Sequence, residues 1–375
     1  MTDAAAKMPV LDGPIKHTHI GGQAVLEGIM MRGRYNWAVA VRTPDGSIHF
    51  EEHDLESGKA KKNWMRWPIV RGCVAMVETL SLAMKAFSVS ASLAGDTEEE
   101  QLTAKEISIT MVLGAGLAIV FFIVLPAVLT TLMVGSAAAN PFRWNIVDGI
   151  LRVVAFFGYI WAIGNMADIK RVFGYHGAEH KTIHAYEHDL PLEPGIIQRY
   201  ETLHVRCGTS FLLMVMILAI LVFSLVPVRL IAASLGVDSR IGITIIAILA
   251  RLIFLPLVAG LAYEVTVKWA GNHSTNPFVK VLLWPGMQLQ RMTTREPSDD
   301  MVEVAVAAMV PIIAREEREE RIAKGEPVEG DLPSEMLEVP QMPSAETADY
   351  VRVDAGEPAV GILAPVVAEP PQGPA

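Results

Sequence analysis

Four long apolar stretches constrain the fold of this chain more than any other feature of its sequence. They cover approximately residues 109–134, 146–166, 209–228 and 241–263. A helix needs about 20 apolar residues to cross a hydrocarbon core roughly 30 Å thick, and it satisfies its own backbone hydrogen bonds there. The sequence therefore predicts a mainly α membrane protein with about four transmembrane helices.

The basic residues indicate how these helices are oriented. The loop between the second and third stretches and the segment before the first stretch are rich in Lys and Arg, whereas the other two loops carry few basic residues. Because basic loops remain in the cytoplasm, we expect both termini and the loop 167–208 to be cytoplasmic. The first 30 residues contain no basic segment followed by an apolar one, so the sequence predicts no cleavable signal peptide.

The formal net charge of −10 arises mainly at the C-terminal end. Residues 325–375 contain ten acidic residues, one arginine and nine prolines, so the rest of the chain is close to neutral. Such a composition is typical of a disordered, well-solvated tail. No basic field indicates a nucleic-acid partner, and the lipid bilayer is the partner that the sequence implies. The only two cysteines, Cys73 and Cys207, are typical of a reducing compartment.

Composition and patterning divide the chain into six regions. Apolar and polar residues alternate on both sides of residues 44–46, which predicts a β-hairpin. The following helix carries Glu78 and Lys85, so we expect it to pack on the membrane face or the bundle, with a fifth span as the alternative. The regions are a disordered N-terminus (1–19), a β-containing cytoplasmic region (20–62), an amphipathic interfacial helix (63–95), a four-span membrane domain (105–265), a cytoplasmic helical region (266–324) and the disordered acidic, Pro-rich tail (325–375).

The β-containing region begins with a glycine-rich segment, "GGQAVLEGIMMRG". Its four glycines are Gly21, Gly22, Gly28 and Gly33. One interpretation is that they serve tight turns, where glycine tolerates unusual backbone angles. The alternative is a close approach of the backbone to a ligand or to the lipid surface.

A row of histidines lies in the cytoplasmic loop, in "YHGAEHKTIHAYEH" at residues 175–188. Each helical residue turns by about 100°, so residues four apart stay on one face. His176, His180, His184 and Glu187 would share one stripe of a helix, with His188 just beside it. Such a stripe is either ordinary polar surface or a set of ligands.

Two clusters of metal-ligand residues favour the second interpretation. Two imidazoles at positions i and i+4 can bind one zinc ion, and His176 and His180 have this spacing with Glu179 between them. This H-x-x-E-H pattern is also that of inverted zinc peptidases, in which the Glu is the general base. The second cluster is His204 and Cys207, at the start of the third apolar stretch, where a helix N-terminus favours a thiolate. We predict that His176, His180, His204 and Cys207 hold Zn²⁺ or another divalent metal.

Charged residues inside the apolar stretches are a separate anomaly. Asp148 and Arg152 are one helical turn apart, and Arg251 lies within the last stretch. Such charges are costly in lipid and usually face protein or water, so we interpret them as structural pairs rather than a transport route. Glu264 follows the last stretch, and it is either a further ligand or base of the metal site or an interfacial carboxylate.

Four segments together resemble the YqhQ-like family of bacterial membrane proteins, a largely uncharacterised family labelled predicted metal-dependent enzyme. They are "GGQAVLEGIMMRG", "FGYHGAEHKTIHAYE", "HVRCGTSFLL" and "PGMQLQRMTTREPSDDMVEVAVAAM", and the likeness covers roughly residues 20–312. The resemblance implies a bacterial cytoplasmic membrane and a metal at His176, His180, His204 and Cys207.

Three functions remain open at this stage. The first is a zinc-dependent hydrolase on the cytoplasmic face of the membrane, with Glu179 as general base and a lipid-linked or peptidic substrate. The second is a thiol enzyme in which Cys207 is the nucleophile, activated by the helix end and by His204 or His180. The third is a membrane assembly or docking factor in which a metal is structural only.

Overall fold

The computed structural model describes residues 18–55, 63–93, 104–135, 140–204, 207–270, 276–326 and 359–363. Most of the described chain is helical, and its polar N-terminal part forms an antiparallel sheet. The predicted disordered segment 1–19 lies almost wholly outside the described residues. So does most of the predicted tail, within which Ala359–Leu363 forms one strand.

The sheet has five antiparallel strands in sequence order. The hairpin predicted around residues 44–46 is confirmed, since it joins the third and fourth strands. Gly46 has a φ of 87° there, and the Asp45 carboxylate accepts hydrogen bonds from the backbone of Ser47 and the hydroxyl of Thr43. The strands are β1 (Gly21–Val25), β2 (Gly28–Arg32), β3 (Asn36–Arg42), β4 (Ile48–Asp54) and β5 (Ala359–Leu363).

Eleven helices are found in the described residues. They are α1 (Val70–Leu93), α2 (Ala104–Ile119), α3 (Leu125–Val134), α4 (Pro141–Ile163), α5 (Ala167–Glu187), α6 (Pro194–Ile197), α7 (Gly208–Leu225), α8 (Val228–Ser234), α9 (Arg240–Tyr263), α10 (Pro277–Thr293) and α11 (Asp299–Lys324). A wider π-helical turn, Val120–Val124, joins α2 to α3, and a second, Glu264–Ala270, extends α9. A 3₁₀ turn, Asn63–Arg66, precedes α1.

The sheet is covered on both faces because its strands alternate apolar residues to each side. One face, which includes Ile29, Met31 and Phe50, packs against α5 and α11. The other face, which includes Met30 and Val39, packs against the second half of α1. This arrangement places α5 in a buried position beside the sheet.

Among the described residues, four helices are long and apolar enough to cross a membrane. They cover Val70–Leu93, Ser108–Val134, Phe142–Ile163 and Ile241–Thr266. Three of them coincide with predicted spans. The predicted span 209–228 corresponds to a bent pair of helices, Phe211–Leu225 and Val228–Ser234, at an angle of 49°. Pro227 explains the bend, because the residue before a proline is disfavoured in the α conformation, and Val226 is extended.

The helix α1 was expected to pack on the membrane face or the bundle, with a fifth span as the alternative, and it has the length and hydropathy of a candidate span. Its first half packs closely on α9, since a Cβ at Gly72 would lie 2.9 Å from Cα of Gly260. Its second half contributes Leu82 and Ala86 to the core beneath the sheet. The helix therefore links the sheet to the apolar bundle.

Candidate functional site

The histidine row lies on α5, as predicted, but the helix is largely buried instead of solvated. Glycine makes this possible at the point of closest packing, since a Cβ at Gly177 would lie 2.0 Å from the carbonyl oxygen of Arg295. His180 is only 1% exposed. Its burial excludes the interpretation of this histidine as ordinary polar surface.

Three of the predicted ligands converge at one point. The ligand atoms of His176, His180 and Cys207 all lie within 4.8 Å of one another. Nε2 of His176 is 3.3 Å from Sγ of Cys207, and the rings of His176 and His180 are 4.4 Å apart between centroids. Two imidazoles and a thiol at this spacing could hold one metal ion.

Backbone carbonyls hold both imidazoles in place. Nδ1 of His176 donates to the carbonyl oxygen of Thr293 at 2.8 Å, and Nδ1 of His180 donates to that of Thr202 at 2.5 Å. Since Nδ1 carries the proton in each ring, Nε2 carries the lone pair. Nε2 of His180 is buried and has no hydrogen-bond partner among the described residues. Burial, followed by the neighbouring His176 and His204, holds the pKa of His180 well below its usual value.

Cys207 stands immediately before α7, where its sulfur accepts a hydrogen bond from the backbone N–H of Thr209 at 3.5 Å. The sequence suggested that this helix end would favour a thiolate. In the structure, burial raises the pKa of the Cys207 thiol, and the two hydrogen bonds with Thr209 only partly oppose this. The helix end alone therefore does not make Cys207 a thiolate.

Glu179 is buried beside the three converging groups, at 5% exposure. Its Oε1 accepts a hydrogen bond from the backbone N–H of Gly22, in β1, at 3.0 Å. The pKa of Glu179 is raised to about 7, mainly because the side chain is buried; His176 and the Gly22 N–H lower this pKa, and the neighbouring Cys207 raises it. A Cβ at Gly22 would lie 2.9 Å from Cδ of Glu179. Glycine at position 22 therefore allows the backbone of β1 to approach the carboxylate of Glu179 closely.

His204, the fourth predicted ligand, belongs to a neighbouring cluster. Its ligand atom groups with those of His184 and Glu187, again within 4.8 Å. Nε2 of His204 is 3.3 Å from Oε2 of Glu187, and its ring centroid is 5.7 Å from that of His180. Burial lowers the pKa of His204 to about 4. The predicted set of four is therefore divided between two adjacent clusters.

Gln290 was not identified from the sequence, although it fixes the position of His204. Its side chain accepts from the backbone N–H of His204 and donates to the carbonyl of the same residue, both at 2.9 Å. Gln290 lies in "PGMQLQRMTT", one of the segments that carry the family resemblance. That resemblance is the one signal in the sequence that could have singled it out.

Glu264 is engaged elsewhere. Its carboxylate forms a bidentate ion pair with Arg71 and accepts from the backbone N–H of Ile69 at 3.1 Å. It thereby connects the start of α1 to the end of α9. The structure assigns it to neither cluster of ligand atoms.

Comparisons with known proteins place the site within a matched region. A family described as "Protein of unknown function (DUF1385)" matches residues 67–315. A protein of Bacillus subtilis (strain 168), Uncharacterized protein YqhQ, is 32% identical over 320 residues, which are 81% of this chain and 95% of that protein. No solved structure matches the chain. Both clusters of ligand atoms lie within the matched region, and neither description states an activity.

Proposed function

We propose that this chain, which belongs to the DUF1385 family of YqhQ-like proteins, is a zinc-dependent hydrolase of the cytoplasmic membrane with its site on the cytoplasmic face. One observation carries the proposal. The ligand atoms of His176, His180 and Cys207 lie within 4.8 Å of one another, and Nε2 of His180 is buried without a partner among the described residues. A buried polar atom without a partner is costly, and a metal ion would satisfy it.

The donor set supports zinc over harder cations. Imidazole and thiolate ligands suit Zn²⁺, whereas Ca²⁺ and Mg²⁺ prefer oxygen. The carbonyls of Thr293 and Thr202 hold the two imidazoles through Nδ1, which is how ligand histidines are usually oriented. With His176, His180 and Cys207 as its protein ligands, a zinc ion would keep a position open for water or substrate, which is typical of catalytic rather than structural zinc.

A bound zinc ion would supply Lewis acidity, which polarises an oxygen of the substrate and acidifies water. The chain itself supplies a base, Glu179. The Gly22 N–H fixes Oε1 at 3.0 Å, so Oε2 is the atom that takes a proton from the attacking water and returns it to the leaving group. The buried surroundings of α5 limit the access of bulk water to these groups.

The membrane location follows from the candidate spans and the distribution of charge. Helices that qualify as spans precede α5, and α7 follows Cys207. The basic residues of the loop 167–208 support a cytoplasmic location for the loop and for both termini by the positive-inside rule. We therefore propose a multi-pass protein of the bacterial inner membrane whose substrate, lipid-linked or peptidic, reaches the site at the membrane surface.

A second candidate is a thiol hydrolase or transferase. It is favoured by the distance of 3.3 Å between Nε2 of His176 and Sγ of Cys207, which is that of a nucleophile and its base. Burial opposes this function because it raises the pKa of the thiol. The two candidates differ in their response to a chelator, since only the zinc enzyme would lose activity when metal is removed.

Metal analysis of the purified chain tests the proposal. We expect wild-type protein to contain zinc, and H180A and C207S to lose it. The variant H188Q is the matched control, because His188 follows the same helix but belongs to neither cluster, and it should retain zinc. Wild-type protein without zinc or another divalent metal would contradict the proposal.

The role of Glu179 is tested separately with E179Q. We expect this variant to retain zinc and to lose turnover of three probes: a p-nitrophenyl ester, a fluorogenic peptide and farnesyl diphosphate in mixed micelles. If zinc-loaded wild-type protein turns over none of them, and E179Q restores a deletion strain as well as wild type does, the metal is structural and the chain acts in assembly or docking.

A further inference from the structure

A second site lies inside the apolar bundle, away from the histidine row. A cavity of about 240 Å³ is lined by residues of the π-helical turn Val120–Val124 and of α4, α7 and α9. Most of its wall is aliphatic or aromatic, and includes Phe122, Phe156, Met216 and Ala219. Leu212 and Leu255 also line it and are 49% and 38% exposed, so the cavity opens toward the outside of the bundle, where lipid chains would lie.

Two positively charged side chains and one negatively charged side chain lie at or beside one end of the cavity. Asp148 and Arg152 line it, and Oδ2 of Asp148 accepts from Nε of Arg152 at 2.8 Å and from Nη2 of Arg251 at 3.1 Å. The other acceptors of the two arginines are uncharged, namely Asn145 and the carbonyls of Ala247 and Ile123. Within the described residues, two cations therefore share one carboxylate.

The three charged side chains lie largely out of solvent, and Arg152 is the most exposed of them at 17%. The side chains of Asp148 and Arg251 are each 4% exposed, and Arg251 lies eleven residues into α9, roughly 16 Å along the helix at about 1.5 Å per residue. A single arginine would suffice to pair Asp148, and an uncompensated buried cation is strongly unfavourable. Pairing with Asp148 therefore explains the presence of one arginine at this position, but not of two.

Aromatic rings compensate Arg251 in part. Its guanidinium lies 4.4 Å from the centroid of Trp144 and 5.4 Å from that of Phe223, although its Nε has no hydrogen-bond partner among the described residues. No such contact involves Arg152 in the described part of the chain. Arg152 lines the cavity and is the cation that an incoming anion would meet.

We propose that this cavity binds a single-chain anionic amphiphile, whose carboxylate or phosphate pairs with Arg152 while its apolar chain occupies the cavity and extends toward lipid. The residues that line the cavity account for both the negative head group and the apolar chain of the proposed ligand. The excess positive charge requires an anion, and the apolar lining disfavours a small hydrated one. The proposal is independent of the zinc site, because it involves neither α5 nor Cys207.

Native mass spectrometry of the full chain in a neutral polyoxyethylene detergent tests this inference. The probes are dodecanoate, dodecyl phosphate and dodecanol, which share a chain and differ in head group. We expect one bound dodecanoate or dodecyl phosphate per chain and at least about tenfold weaker binding of dodecanol, equivalent to about 1.4 kcal/mol. Tighter binding of dodecanoate would indicate a fatty acid as the natural ligand, and tighter binding of dodecyl phosphate would indicate a lipid phosphate.

Variants test the charged end and the apolar part of the cavity one at a time. In R152Q the pair of Asp148 and Arg251 remains neutral, so we expect the preference for anions to disappear, and R152K should restore it. A219F fills the cavity and should abolish binding of all three probes, whereas L221F, on the exposed side of the same helix at 59% exposure, should bind like wild type.

Two results would overturn the inference. One is equal binding of dodecanol and dodecanoate by wild-type protein, and the other is an unchanged anion preference in R152Q. Zinc content, measured on the same samples, should be unchanged in R152Q. A failure of the amphiphile site is thereby distinguished from a failure of the metal site.

Discussion

The substitution G177A tests whether close packing of α5 sets the geometry of the proposed metal site. The added Cβ would lie 2.0 Å from the carbonyl oxygen of Arg295, where ordinary contacts begin at 3.4 Å. The two backbones must therefore separate by up to about 1.4 Å. A flexible side chain could move away at small cost, but here the obstacle is backbone.

The separation would break hydrogen bonds that hold the site. The N–H of Arg295 donates to the carbonyl of Phe173 at 2.9 Å, and Nδ1 of His176 donates to the carbonyl of Thr293 at 2.8 Å. Overpacking costs about 1–3 kcal/mol, and an unsatisfied buried group costs about 1–3 kcal/mol more. Replacing a helical glycine by alanine returns about 1 kcal/mol. We expect a net destabilisation of about 3 kcal/mol and a roughly 10–100-fold loss of zinc affinity.

Thermal unfolding in detergent and zinc competition with a chelating dye measure the two effects. The control is G195A in α6, because a Cβ at Gly195 would meet no atom within 4 Å, and both measurements should stay at wild-type values. The reasoning would be refuted by a G177A protein with the stability and zinc affinity of wild type.

Two further predictions concern the sheet and the segment that carries His204. Hydrogen bonds from His49 and His53 lower the pKa of Glu51 to about 2, against an ordinary 4.5. Glu51 therefore stabilises the fold fully above pH 4.5 and loses this contribution as the pH falls toward 2. We expect E51Q to be about 1 kcal/mol less stable at pH 6, since partial exposure screens the interaction, and equal to wild type near pH 2 by chemical unfolding. We expect Q290A to be destabilised by about 1–3 kcal/mol, because it removes two buried hydrogen bonds to the backbone of His204, although the carbonyl of His204 keeps the bond from the N–H of Cys207 at 3.3 Å. Unchanged thermal stability would show that water replaces the side chain.

Local patterns in the sequence predicted those parts of the fold that depend on neighbouring residues. Long apolar stretches located three of the candidate spans to within a few residues, and alternation around residues 44–46 located a hairpin. The third predicted span, residues 209–228, instead runs across a bend between two helices, because hydropathy does not report the extended backbone that precedes Pro227 at Val226. Glu78 and Lys85 led to the prediction that α1 packs on the membrane face or the bundle, and Glu78 pairs with Arg32 of the sheet at 3.3 Å.

The candidate site was predicted only in part, because local sequence patterns do not report contacts between residues that are remote in sequence. Helical spacing places His176 and His180 on one face, and proximity to the start of α7 indicates Cys207. The groups that orient these residues are remote in sequence: 117 residues separate His176 from Thr293, and 157 separate Gly22 from Glu179. No periodicity encodes such contacts. The partition of His204 into the neighbouring cluster depends on Gln290, 86 residues away.

The helix α7 connects the two proposed sites. Cys207 stands at its start, and Val215, Ala219 and Phe223 line the cavity from 8 to 16 residues further along, roughly 12–24 Å at about 1.5 Å per residue. Close packing on α4 fixes this helix, since a Cβ at Gly149 would lie 2.5 Å from Cγ1 of Ile220. If α4 alone positions α7, filling the cavity in A219F leaves Sγ of Cys207 in place and the zinc content unchanged. A loss of zinc in A219F, but not in L221F, would instead mean that the contents of the cavity help to position the sulfur.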